Sequence, residues 1–241
     1  MHIGSETHAR LYRKPRARLA PGRQLSMLAA MSLAPEILFE DTDLIAVNKP
    51  SGLLTEGGGE REDDLEQVAT RHCGKPVRCC HRLDRATSGV ILLRKTARFN
   101  TALAELFASH RVRKFYWAIV EGAWPSGVTK VETQIAAAGP GRFAKVRAGG
   151  KPAASTFRVL GHAPDHAHTW LGVLLKTGRT HQARLHCAHA GCPITGDTVY
   201  GGGSAEFFGL HARELQLRHP GTGADLTFTA PPPANWPDWA I

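Results

Sequence analysis

The sequence predicts a mixed α and β protein, with one folded domain behind a basic N-terminal arm. Three observations lead there. Short apolar runs bounded by turn residues read as strands, Val90-Ile91-Leu92-Leu93 most clearly. Phe99, Leu103, Leu106 and Phe107 recur at helical spacing. Neither an internal repeat nor a low-complexity block interrupts the rest. A chain of 241 residues suits one large domain or two small ones. Its 42% hydrophobic content is that of a soluble globular protein. No apolar run approaches the ~20 residues needed to cross a bilayer.

Taken in order, residues 1–34 come first. Arg10, Arg13, Lys14, Arg16, Arg18 and Arg23 accumulate there, with no acid between Glu6 and Glu36. That pattern suits an arm touching nucleic-acid phosphates, an organellar transit peptide or a solvated tail. Weak amphipathic periodicity favours arm or tail. Ile37–Phe39 and Leu44–Val47, separated by Glu40-Asp41-Thr42-Asp43, predict a hairpin. Glu56 to Asp64 is polar and glycine-rich; no Lys-Ser/Thr follows, so a flexible loop is expected rather than a phosphate cradle. A helix is predicted over 96–110, its aromatics in the core. Residues 114–121, 154–160, 168–175 and 225–229 read as strands. A second helix is expected over Thr180–Ala190, ended by Gly191 with Pro193 just beyond. Gly201-Gly202-Gly203 reads as a turn.

The five cysteines include the adjacent pair Cys79-Cys80, and no secretory signal is visible, so reduced thiols in the cytoplasm are expected. His181, His186, His189, Cys187 and Cys192 crowd one region; Cys79, Cys80 and His81 crowd another. The chain lacks both HExxH and CxxC, so no metal is expected. The net charge of +9 favours a polyanionic partner.

The most informative segment is His81-Arg82-Leu83-Asp84-Arg85-Ala86-Thr87-Ser88-Gly89. Its carboxylate lies between two arginines at the rim of the predicted strand, where positive charge keeps it ionised. Such an aspartate serves as nucleophile or electrostatic partner, not as an acid; on charge pattern alone it would be an N-cap or a surface ion pair. The whole string resembles the HRLDxxTSG signature of pseudouridine synthases of the RluA type, with every fixed letter present. Further segments are similar to that family in the expected order. Residues 37–52 look like its opening hairpin and NKPxG turn. Lys114-Phe115-Tyr116-Trp117-Ala118-Ile119-Val120-Glu121-Gly122 looks like its KxYxAxVxG strand. Thr177-Gly178-Arg179-Thr180-His181-Gln182-Ala183-Arg184 is similar to its TGRxHQIR segment, with alanine where the family has isoleucine. Residues 191–201 are similar to GxPIxGDxxYG, and Leu210-His211-Ala212 and Ala230–Pro233 also fit.

The resemblance spans residues 35 to 238. It implies an α+β fold: a bent, largely antiparallel mixed sheet with packed helices and a central catalytic cleft. Residues 35–241 would be the catalytic domain. Only 34 residues precede the hairpin, too few for the helical RNA-binding domain of many relatives, since independent domains usually need about 50 or more. The implied reaction isomerises uridine to pseudouridine in ribosomal or transfer RNA, without cofactor. Asp84 would be the nucleophile, Arg184 its ion-pair partner and Tyr116 the residue stacked on the uracil. Arg82 would fill the stack left by a flipped base. His81, Arg179, His181 and Lys114 are second-tier RNA-binding candidates, His81 also as a loop-ordering residue and His181 also as a support for Asp84. Arg142, Lys145, Arg147 and Lys151 would follow an RNA backbone or form a solvated face. The expected protein is a monomer; the rival expectation is a non-catalytic RNA-binding module or RNA chaperone of the same fold.

Overall fold

Strand pairing, rather than helix packing, organises this chain. The structure, a computed structural model, describes residues 35–59 and 63–241, so the expected N-terminal arm lies outside the described residues. Residues 35–241 form one compact unit. The strands are β1 (Glu36–Glu40), β2 (Leu44–Lys49), β3 (Arg78–Cys79), β4 (Ser88–Arg94), β5 (Arg113–Glu121), β6 (Lys130–Ala137), β7 (Phe143–Val146), β8 (Lys151–His162), β9 (His168–Leu175), β10 (Leu210–Arg218) and β11 (Asp225–Thr229). They share one sheet in the order β1-β2-β4-β10-β5-β9-β8-β6-β7, with β3 added to β4 and β11 to β10. Every pairing is antiparallel except β4 with β10, where Ser88 and Gly89 lie beside His211 and Ala212. The helices are α1 (Leu65–Cys73), α2 (Asn100–Ala108) and α3 (Gln182–His189). This is an α+β arrangement.

The predicted hairpin forms as β1 and β2. Residues 168–175 and 225–229 are strands over the predicted spans. Both predicted helices are shorter than expected. The first, α2, begins at Asn100. The second, α3, begins at Gln182, because His181 adopts a left-handed backbone with φ 56°. The polar stretch before residue 65 leads into α1, which the sequence did not predict. Asp64 accepts from the Gln67 backbone N–H at 2.9 Å, and the Gln67 side chain accepts from the Asp64 N–H. That reciprocal pair satisfies two donors a helix start leaves open.

Alternation along β4 divides the core. Ile91 and Leu93 join Val47, Leu53, Leu83 and Tyr116 on one face. Val90 and Leu92 meet Leu103 and Leu106 of α2 on the other. The glycine ending HRLDRATSG is required by this packing. At Gly89, with φ 112°, a Cβ would lie 2.3 Å from the carbonyl oxygen of Ala212 on β10. The closeness of that parallel pair brings the segment before β4 to the mouth of the cleft.

Candidate active site

Asp84 lies in the loop between β3 and β4, at the edge of a cavity of about 1010 Å³. The loop is fastened through its backbone. Thr55 Oγ1 donates to Leu83 O at 2.7 Å and accepts from Leu83 N at 3.3 Å. Lys49, with no exposed surface, donates to the carbonyls of Pro50 (3.0 Å), Leu53 (2.7 Å) and Arg85 (3.1 Å). Gly52 N also donates to Arg85 O, and Ser51 Oγ donates to Ala86 O. Burial pushes the Lys49 ammonium down to about 7 from its usual 10.5, while the negative charge of Asp84 resists that fall.

The facing wall is α3 and the turn after it. Arg184 Nη1 donates to Asp84 Oδ2 at 3.2 Å. The other donors of its fork are committed elsewhere: Nε donates to Asp197 Oδ2 at 2.7 Å and Nη2 to Asp197 Oδ1 at 2.8 Å. Asp197 is buried, and the guanidinium lies over the rings of Tyr200 (5.0 Å) and Phe208 (5.4 Å). One arginine therefore spans two carboxylates, bidentate to the structural one and end-on to the reactive candidate. Desolvation works against the Arg184 charge, but both aspartates outweigh it and hold its pKa above the ordinary value.

Tyr116 lines the same cavity from β5, its side chain 7% exposed. Burial, reinforced by the negative charge of Asp84, raises its hydroxyl far above the usual 10, so it stays protonated. Its strand neighbours take other surroundings, as alternation predicts: Trp117 packs edge-on against Trp170 under the Arg213 guanidinium.

The second-tier candidates fall in different places. His81 lines the cavity, but its Nε2 accepts from the Leu92 N–H at 3.1 Å and its ring stacks on Phe107 at 5.0 Å. Burial, with Lys114 adding to it, drives its pKa down to about 3. The contacts of this neutral ring are with the loop and with Phe107, the loop-ordering role among its expected ones. Phe107 packs against the core as expected, but it is half-buried and also lines the cleft beneath His81. Arg82 is largely exposed and paired with Glu56 at 2.7 Å, so entering a base stack requires breaking that pair. Arg179 and Lys114 line the cleft. Arg179 Nε donates to Pro152 O at 3.0 Å, and burial, then the charge of Arg179, lowers the Lys114 pKa. His181 Nε2 is 3.8 Å from Asp84 Oδ1.

The regions rich in histidine and cysteine do different work. Both ring nitrogens of His186 face hydroxyls, of Ser155 and Thr133, at 2.9 Å each. Among the described residues Glu40, His72 and Cys73 bring ligand atoms together, but the Lys95 ammonium is paired with that carboxylate.

A family model described as RNA pseudouridylate synthase matches residues 43–189, more than half of the chain, and the match includes Asp84, Tyr116 and Arg184. The chain belongs to the RNA pseudouridylate synthase family. As a member it is an isomerase, converting uridine to pseudouridine in RNA. The ribosomal large subunit pseudouridine synthase D of Escherichia coli is 31% identical, over 95% of this chain and 79% of its own length. The enzyme of the same name from Pseudomonas aeruginosa is 35% identical, over 86% and 71%. The tRNA pseudouridine synthase C of Pectobacterium carotovorum is 34% identical, over 83% of this chain and 60% of its own length. Among solved structures, human RNA pseudouridylate synthase domain containing 4 superposes with a TM-score of 0.70 at 26% identity, covering 88% of this chain and 94% of that one.

Sequence reading of this pseudouridine synthase passed over Lys49, Asp197 and Tyr200. Each lies inside a recognised segment, in Asn48-Lys49-Pro50 and in Gly196-Asp197-Thr198-Val199-Tyr200. A lysine or aspartate that must be buried leaves no mark in composition; only its partners distinguish it from a surface charge.

Proposed function

We propose that this synthase isomerises uridine in structured ribosomal RNA, with Asp84 as the nucleophile toward the sugar of an extruded nucleotide. The arrangement of Arg184 carries this reading: it meets Asp84 end-on through Oδ2, while Asp197 takes most of the guanidinium fork and leaves Oδ1 of Asp84 without a hydrogen bond. A carboxylate held so keeps an oxygen to react with.

The reaction breaks the glycosidic bond to nitrogen of the uracil, turns the base, and joins the same sugar carbon to carbon five. The proton on carbon five then leaves. Tyr116, protonated and beside Asp84, would pack against the base and hold it for that transfer. The cavity exceeds what one nucleotide fills, which suits a flipped uridine together with its neighbours. Arg82, freed from Glu56, would stand in the vacated stack. Arg179 and Lys114, with the charges of the β6–β7 hairpin, would meet phosphates. A ribosomal target is supported by the relatives: the two ribosomal enzymes align over more of their own length than the transfer-RNA enzyme does. Among the described residues no helix is long and apolar enough to cross a membrane, and we place a monomer in the cytoplasm.

Pseudouridine mapping of total RNA from cells with and without the gene tests this reading. One or a few ribosomal uridines should lose their modification, with recovery by the normal gene and none by Asp84→Asn. Full recovery by Asp84→Asn would end the nucleophile assignment. Losses confined to transfer RNA would move the substrate.

A further inference from the structure

The ion pair with Arg184 uses one oxygen of Asp84; the other, Oδ1, faces His181 Nε2 at 3.8 Å. At that distance no hydrogen bond is made, so Oδ1 keeps its lone pairs. The imidazole is held from three sides. Its backbone sits in the left-handed region, with φ 56°, uncommon for a residue that carries a Cβ. The ring meets Phe143 of β7 edge-on at 5.4 Å. Its Nδ1 is 2.7 Å from the Tyr200 hydroxyl. That hydroxyl oxygen also accepts from the Phe143 N–H at 3.2 Å, and the hydroxyl is placed to donate to the Phe143 carbonyl oxygen, also at 3.2 Å.

Two tautomers satisfy these contacts, and they differ in where the tyrosine hydrogen goes. The Phe143 amide can only donate, so the tyrosine oxygen accepts there. Its single hydrogen then goes to His181 Nδ1, the shorter contact, or to Phe143 O. Given to Nδ1, it leaves the imidazole proton on Nε2, and the Asp84 carboxylate 3.8 Å from that nitrogen favours this arrangement.

We propose that His181 is a positioning residue for Asp84, its neutral Nε2–H steering Oδ1 toward the sugar, with Tyr200 selecting the tautomer. The inference rests on Asp84 being the nucleophile. It also links substrate binding to the site, because Tyr200 ties the imidazole to the β6–β7 hairpin that carries Arg142 and Lys145. The groups facing the ring are Asp84, Arg184, Asp197 and Tyr200, with the uncharged Phe143 from β7. Burial lowers the His181 pKa, Arg184 lowers it further, and the two aspartates resist. At neutral pH the ring is therefore neutral. As pH falls through that depressed value, an imidazolium forms beside Oδ1, pairs with it and draws charge from the nucleophile. Activity should fall on that acid limb.

The test measures tritium release from bulk RNA labelled with uridine tritiated at carbon five, prepared from cells lacking the gene, across the pH range. The proteins are the full chain and its His181→Ala, His181→Asn and Tyr200→Phe variants, each checked for folding by thermal denaturation. His181→Ala should lower kcat by ~10- to 100-fold, the range expected of a misplaced reacting group, with KM unchanged and the acid limb gone. His181→Asn, which can still present an uncharged N–H, should recover part of the rate without recovering the limb. Tyr200→Phe should fall between wild type and His181→Ala. An unchanged kcat in His181→Ala, a change in KM alone, or an acid limb that persists in His181→Asn would each overturn the proposal. A misfolded His181→Ala leaves the decision to the Asn variant. Activity retained in Asp84→Asn would instead refute the underlying nucleophile assignment, whatever the His181 variants do.

Discussion

The two walls of the cleft are built in different ways. On the Asp84 side, the loop is stitched by hydrogen bonds to main-chain carbonyls and amides, from Lys49, Ser51, Thr55 and Gly52. On the α3 side, side chains hold one another: Arg184 with Asp197, and His181 with Tyr200. Backbone anchoring fixes where Asp84 stands. A network of charged and polar side chains fixes which of its oxygens is paired and which is left facing the cleft. Placement and reactivity are therefore separate properties here, each held by its own wall.

The strongest way to break that division is Asp197→Ala. It leaves a buried guanidinium with the end-on Asp84 contact as its remaining ion pair, which should cost about 3–5 kcal/mol. Arg184 would also be free to turn its fork onto Asp84, lowering kcat in whatever fraction stays folded. Denaturant unfolding and single-turnover rates check both effects. If stability fell but the rate per folded molecule did not, Asp197 would only be a structural partner.

Lys49→Met examines the other wall. Removing the ammonium strands the Pro50 and Leu53 carbonyls, a loss of about 2–3 kcal/mol. The pH dependence has a definite sign. The folded pKa of about 7 lies below the usual 10.5, so between those values the unfolded chain binds more protons than the folded one. Lys49 thus makes stability rise with pH across that window, and lets it fall as pH drops toward 7. The methionine variant should lose this slope in melts taken from pH 7 to 10. An unaltered slope would mean that Lys49 stays charged throughout, its ammonium compensated by the three carbonyls.

The smallest expected effect sharpens the comparison. His81→Ala removes the acceptor for Leu92 N–H and the stack on Phe107, costing about 1–2 kcal/mol, with RNA affinity unchanged. With its pKa down at about 3, His81 contributes stability above pH 6.5 that is lost as pH falls from there toward 3. A filter-binding assay showing weaker RNA capture at full stability would restore His81 as an RNA contact.

Much of this was legible before any coordinates. The nine residues around Asp84 carried the family resemblance, and the strands at 168–175 and 225–229 appeared in their correct spans, because apolar runs bounded by turn residues depend on local chemistry. Strand β10 was not legible. Leu210-His211-Ala212-Arg213-Glu214-Leu215-Gln216-Leu217-Arg218 is rich in good helix formers, yet its pairing with β4, β5 and β11 overrides that preference. The short α1 hid behind a polar loop, since its start is set by one reciprocal side-chain pair.

At the site the division follows the same physics. The sequence by itself determined which residue types were available: a carboxylate between arginines, a tyrosine on a strand, an arginine ahead of a helix stop. Tertiary structure alone decided that Arg184 answers to two aspartates, that His81 faces inward, and that Tyr200 reaches His181. Those outcomes depend on contacts between residues as far as 100 positions apart in the chain, and on burial, which turns an ordinary charged side chain into one that must find a partner.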